Sequence, residues 1–123
     1  MSPRDGQLDE SPVRMSIALG RVDGDKDLLQ ELVHTFQEDL SERVSSLTAA
    51  IRRGDDQETF QAAHSLRGPL GILGAEKALA LAGELETLGR AGQLGGAATI
   101  GEAFEREMTR VAAFLSSFDW NSL

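Results

Sequence analysis

Between Lys26 and about Arg52 the apolar residues are Leu29, Leu32, Val33, Phe36, Leu40, Val44, Leu47 and Ile51. They return every three or four positions, which on a helix makes one stripe. Glu31, Glu38, Asp39 and Glu42 fall on the opposite face and are expected to meet water. Asp25, after the turn Val22-Asp23-Gly24, is placed to cap this helix. Gly54 suits the position just past its end, and Asp55 with Glu58 opens a capping box for a second helix starting near Asp56. That helix carries Phe60, Ala63, Leu66, Leu70 and Leu73 and is expected to end around Ile72 to Gly74.

A third stripe runs through Ala78, Leu81, Ala82, Leu85 and Leu88, with Glu76 in its first turn and a break from Gly89 to Gly96. A fourth holds Ile100, Ala103, Phe104, Met108, Val111, Leu115 and Phe118; Gly101 near its start weakens it by roughly 1 kcal/mol relative to alanine. Ahead of all four, Ser11-Pro12 reads as an N-cap with proline at the first helical position. The short helix that follows carries Met15, Ala18 and Leu19, ends near Gly20, and is too short to stand alone.

Four amphipathic segments with short connections predict an all-α, antiparallel up-down-up-down four-helix bundle, with the short N-terminal helix covering one end. The chain divides into a polar tail or linker (1–10), a bundle (11–118) and a short C-terminal tail (119–123) in which Trp120 folds back onto the bundle end. Composition agrees: aromatics are 5% and tyrosine is absent, which disfavours sheet. A length of 123 residues suits one domain. The net charge of -8 argues against nucleic acid, which is bound through clustered Lys and Arg. With no cysteine, disulfides and thiolate metal sites are excluded, and a reducing compartment is compatible. No apolar run approaches the roughly 20 residues of a membrane helix, and no signal-peptide core follows Arg4, so a soluble, cytoplasmic chain with no membrane partner is expected.

The stretch Ala63-His64-Ser65-Leu66-Arg67-Gly68 carries the chemistry. At about 100° per residue, Ala63, Leu66, Leu70 and Leu73 span an arc of about 80°, and His64 lies about 100 to 180° away from them on the solvent side. Its arc-mates are Gln61, Gly68, Gly71 and Ala75, with Phe60 and Arg67 between it and the core. A solitary exposed histidine is ordinarily just surface. Glycine in mid-helix needs a reason, however, and here it clears the space beside the imidazole for something to dock. Arg67 can reach and neutralise an anion on the ring, and a solvated imidazole is largely neutral and nucleophilic at pH 7.

Other candidates are weaker. His34 flanks the first stripe with no accompanying Arg-Gly, and two histidines without cysteine make no transition-metal site of ordinary spacing. Gly68 to Lys77 lacks the Lys-Ser/Thr of a phosphate loop, and Gly92, Gly95 and Gly96 read as a turn. Arg52 and Arg53 suit the C-terminus of their helix. The carboxylates read as solvated helix faces, with no pair set for acid/base work.

The His64 stretch, followed by Gly74-Ala75, resembles the histidine-containing phosphotransfer (HPt) domain of bacterial phosphorelays. Gly24-Asp25 with Leu28-Leu29, and Leu85-Glu86 with Arg90, extend the resemblance over about residues 15 to 118. Phe60, Gln61 and Gly71, which the helical repeat places around His64, are expected to meet the partner. The resemblance implies that His64 is the phosphoacceptor, Arg67 the phosphate-neutralising cation and Gly68 the access position. It also implies a monomeric carrier that takes a phosphoryl group from one receiver aspartate and passes it to another. The partners are response-regulator or hybrid-kinase receiver domains. The receiver brings Mg²⁺, so no cofactor or metal is expected on this chain, and no ATP-dependent kinase activity of its own.

Two other readings stay open: a bundle that binds receivers or kinase domains without carrying phosphate, and the phosphoacceptor domain of a chemotaxis-type kinase. The sequence also departs from the family at two positions. Arg67 replaces the usual lysine, exchanging a point charge for a planar, bidentate cation; retained transfer with altered receiver preference is expected. Pro69 follows Gly68, cannot donate to the carbonyl of Ser65, and predicts a kink or local widening between Ser65 and Pro69.

Overall fold

The computed structural model describes residues 11–123; the expected tail at 1–10 lies outside them. Helix α1 (Met15–Arg21) is followed by α2 (Lys26–Arg53), α3 (Asp56–Ile72), α4 (Glu76–Ala91) and α5 (Ala97–Ser117), with 3₁₀ turns at Leu94–Gly96 and Trp120–Ser122. Helix α2 packs on α3 and α5, and α4 packs on the same two, so the four long helices close into a bundle. Its core includes Leu29, Val33, Phe36, Leu47, Leu66, Leu70, Leu85, Phe104, Val111 and Leu115. Each long helix contributes the stripe its spacing predicts.

Helix boundaries follow from local chemistry. The Asp25 side chain accepts from the Leu28 amide at 3.0 Å, and Asp55 from the Glu58 amide at 3.0 Å. Caps of this kind contribute about 1 kcal/mol each. Gly54 and Gly92 end α2 and α4 in the left-handed conformation, at φ 71° and 68°. Gly74, at φ 64°, turns the chain between α3 and α4.

Several expectations are corrected. The first helix begins at Met15 with Arg14 before it, not at Pro12. The Ser11 hydroxyl donates to the Val13 carbonyl instead of capping a helix, and the Arg14 amide bonds the Leu73 carbonyl at 3.1 Å, tying α1 to the α3–α4 turn. The third long helix is not broken at Gly89 but continues through it to Ala91. Leu32 lies at the margin of its stripe and is 38% exposed. Ala75 is fully buried as the residue preceding α4, because the arc assigned to it ends where α3 ends. Gly101 is buried, and a Cβ there would lie 3.1 Å from Ile51 Cδ1, so its missing side chain brings α5 close to α2. In the C-terminal segment, Trp120 folds back as expected, edge-on to Phe118 at 5.1 Å, and joins the margin of the core.

Pro69 sits inside α3, yet the helix is α-helical without a break or a widened turn from Asp56 to Ile72. The expected widening is absent. A proline inside a helix costs ~3 kcal/mol, partly through the carbonyl it leaves without a donor. That carbonyl, of Ser65, accepts a 2.7 Å hydrogen bond from Arg43 Nη2 on α2. A charged donor substitutes for the amide that Pro69 lacks.

Candidate functional site

The site lies where α3 meets α4, and the residue that organises it is Glu86. Its side chain is 4% exposed, although it lies among helix-surface carboxylates in the sequence. Oε2 accepts from His64 Nδ1 at 2.9 Å and from Arg90 Nη2 at 3.0 Å, while Oε1 accepts from Arg67 Nη1 at 2.9 Å. A lone carboxylate in this position would cost several kcal/mol to bury. Burial alone would raise its pKa, but the hydrogen bonds from His64 and Arg67, and the charges on both, outweigh it and hold the carboxyl below the ordinary glutamate value.

The tautomer of His64 follows from this. An ionised carboxylate only accepts, so the ring nitrogen facing it must donate. Nδ1 therefore carries a proton, and the lone pair of the neutral ring sits on Nε2. The imidazole is 63% exposed. Phe60, one turn earlier, stacks on it with centroids 5.7 Å apart and an interplanar angle of 15°. The Arg90 guanidinium covers the Phe60 ring at 5.1 Å, a cation–π contact that closes the cluster.

Helix α4 can supply Glu86 only because it comes very close to α3. A Cβ on Gly89 would lie 2.7 Å from the Phe60 amide nitrogen and 2.9 Å from the Asp56 carbonyl oxygen. By contrast, a Cβ on Gly68 or Gly71 would meet nothing within 4 Å. Packing does not require those two glycines. They leave open surface beside the exposed imidazole.

The sequence-predicted residues thus divide. His64, Arg67 and Phe60 converge, but Arg67 rests on Glu86 and Phe60 forms part of the ring's packing wall. Gln61 and Gly68 are exposed and Gly71 half-buried, on the same helix. His34 stays apart, exposed and 3.6 Å from Glu38. Two carboxylates read as solvated are in fact buried: Glu86, and Glu107, which is 2% exposed and accepts from Arg110 at 2.9 Å. Sequence reasoning missed the roles of Glu86, Gly89 and Arg43. The available signal for Glu86 was its place about 40° from Ala82 at the edge of the α4 stripe, with Arg90 one turn on. Among the described residues no group of three or more His, Cys, Asp or Glu could hold a metal ion, and no helix is long and apolar enough to cross a membrane.

The family model described as the Hpt domain matches residues 31–114. The crystal structure of histidine-containing phosphotransfer protein B (HptB) from Pseudomonas aeruginosa PAO1 is similar to this chain at 30% identity and a TM-score of 0.77. The match covers 87% of this chain and 93% of that one. No curated protein matches. With a family model spanning most of the bundle and a solved relative of the same architecture, the chain belongs to the Hpt domain family.

Proposed function

We propose that His64 carries a phosphoryl group on Nε2, taking it from the aspartyl phosphate of one receiver domain and giving it to the aspartate of another. The observation that carries this is the bond between His64 Nδ1 and the buried Glu86 carboxylate, with Nε2 directed away from it. Nε2 attacks phosphorus; the N–P bond forms as the P–O bond to the aspartate breaks, and the aspartate leaves as a carboxylate. The Nδ1 proton stays in place, so the ring acquires a positive charge as the bond forms. Glu86 stabilises that charge, and transfer onward reverses each step. Catalysis of this kind is mainly positioning and charge stabilisation.

Arg67, one helical turn from His64 and about half exposed, is placed to meet an incoming phosphoryl group, and its guanidinium has donors beyond the one on Glu86. Gly68, Gly71 and Gln61 make the surface on which a receiver closes. Next to Gly68 this surface continues into an apolar groove lined by Leu32, Phe36, Pro69 and Ile72, which suits the same partner. A proline that distorted the helix beside His64 would favour a bundle that binds without carrying phosphate. With α3 unbroken around Pro69, that reading loses its support.

The test is to incubate the chain with phosphorylated receivers and follow the label. Acid-labile, base-stable phosphate on the wild type and none on His64→Gln is expected. A wild type that takes no label from any of several receivers would point to a binding-only bundle.

A further inference from the structure

Pro69 and Arg43 stand on different helices, and the Ser65 carbonyl joins them. Proline has no amide hydrogen, so this carbonyl loses its helical partner, and Arg43 Nη2 supplies the missing donor from α2 at 2.7 Å. Ser65 directly follows His64, and its peptide belongs to the turn that holds His64, Arg67 and Gly68. A carbonyl left without a donor tilts toward water and bends the helix at that point. Any such bend would change the angle between His64 and the α4 residue that fixes its tautomer.

We propose that Arg43 is a positioning residue for phosphotransfer, acting through the Ser65 carbonyl in place of the amide that Pro69 removes. The His64 turn is then held from both sides: Arg43 of α2 fixes its backbone, and Glu86 of α4 fixes its imidazole. The arrangement is specific to a chain with proline after the glycine. With an amide at position 69 the helix closes by itself and Arg43 is dispensable for this purpose. Arg43 needs no contact with the phosphoryl group.

As a role in transfer the proposal rests on the carrier reading above, so the test uses one readout that requires phosphate and one that does not. Wild type, Arg43→Gln, Pro69→Ser and the double variant form a cycle in which Pro69→Ser restores the amide. In the unphosphorylated proteins, ¹⁵N NMR of the His64 ring and of the Ser65–Gly68 amides reads the geometry of the turn. With phosphorylated receiver, transfer is measured at limiting and saturating concentrations. Arg43→Gln is expected to shift the ring and amide signals and to lower the saturated transfer rate at least threefold, with half-saturation unchanged. The double variant is expected to match Pro69→Ser in both readouts. Equal effects of Arg43→Gln with and without Pro69 would overturn the proposal and place Arg43 on the partner instead; no effect in either background would overturn it outright. If no protein in the cycle accepts phosphate, the carrier reading fails, while the NMR cycle still decides whether Arg43 replaces the amide.

Discussion

The backbone of Phe60 occupies the space where Gly89 would carry a side chain: a Cβ there would stand 2.7 Å from the Phe60 nitrogen. Real Cβ atoms do not come so close, and the obstructing atoms are backbone, which cannot swing aside. Gly89→Ala must therefore separate α4 from α3. Overpacking of this kind costs about 1–3 kcal/mol, and the helix-propensity gain from glycine to alanine returns only about 1 kcal/mol. Net destabilisation by up to about 2 kcal/mol is expected in a denaturant titration. Glu86 is carried one turn away on the same helix, so the His64 ring nitrogens should also lose their fixed tautomer in ¹⁵N NMR. Unaltered stability and ring signals would show that the helices can relax around the extra methyl.

The charge on Glu86 and its ability to accept a hydrogen bond can be separated. Glu86→Gln keeps an oxygen for the His64 Nδ1 proton but cannot offset the charge the ring acquires during transfer. A hydrogen bond to a charged group contributes about 1 kcal/mol more than a neutral one, so transfer should slow about fivefold to tenfold. Glu86→Ala removes the acceptor as well and should slow it about tenfold further, with the neutral ring free to place its proton on Nε2. Receiver-dependent phosphorylation rates for the three proteins decide this. Equal rates for wild type and Glu86→Ala would end the tautomer argument.

Much of this arrangement is legible in the order of the amino acids alone. Leu29, Leu66, Leu85 and Phe104 lie in stripes whose period alone makes a four-helix bundle, and Asp25 and Asp55 mark helix starts by chemistry that acts within four residues. His64 was also legible, because its distance from Leu66 and Leu70 around the helix is fixed by the helical repeat. Glu86, Gly89 and Arg43 were not. Each acts across a helix–helix contact: Glu86 and Gly89 across α3–α4, whose closeness depends on the missing side chain of Gly89, and Arg43 across α2–α3. Pro69 marks the boundary between the two kinds of information: the lost amide is a local fact, while its replacement by Arg43, 22 positions from Ser65, depends on how α2 lies against α3.

Glu86 also sets a pH dependence of stability. Its folded pKa lies below the ordinary glutamate value that applies in the unfolded chain. Its contribution is therefore complete above the ordinary value and is lost as pH falls through the lower folded value. The partner side chains are about half or more exposed, which screens each pair and keeps the contribution modest. Thermal unfolding followed from neutral pH down through the carboxylate range should show wild type losing more stability than Glu86→Gln. Parallel curves would mean that Glu86 titrates alike in the folded and unfolded states.

Gly68 has two reasons to be glycine, and they predict different outcomes. It is exposed, and a Cβ would meet nothing within 4 Å, so space for a docking partner is one reason. It also precedes Pro69, and a side chain before proline is disfavoured in helical conformation. Gly68→Gln gains up to about 1 kcal/mol of helix propensity and loses some or all of that against the Pro69 ring. In the wild-type background stability should therefore change by less than about 1 kcal/mol. In a Pro69→Ser background only the gain remains, and Gly68→Gln should stabilise. If the glycine serves access, transfer from a phosphorylated receiver falls at least tenfold in both backgrounds, because the glutamine stands beside Nε2 whatever follows it. If it serves only the proline, transfer recovers once Pro69 is replaced. Measuring stability and transfer on the same four proteins separates the two.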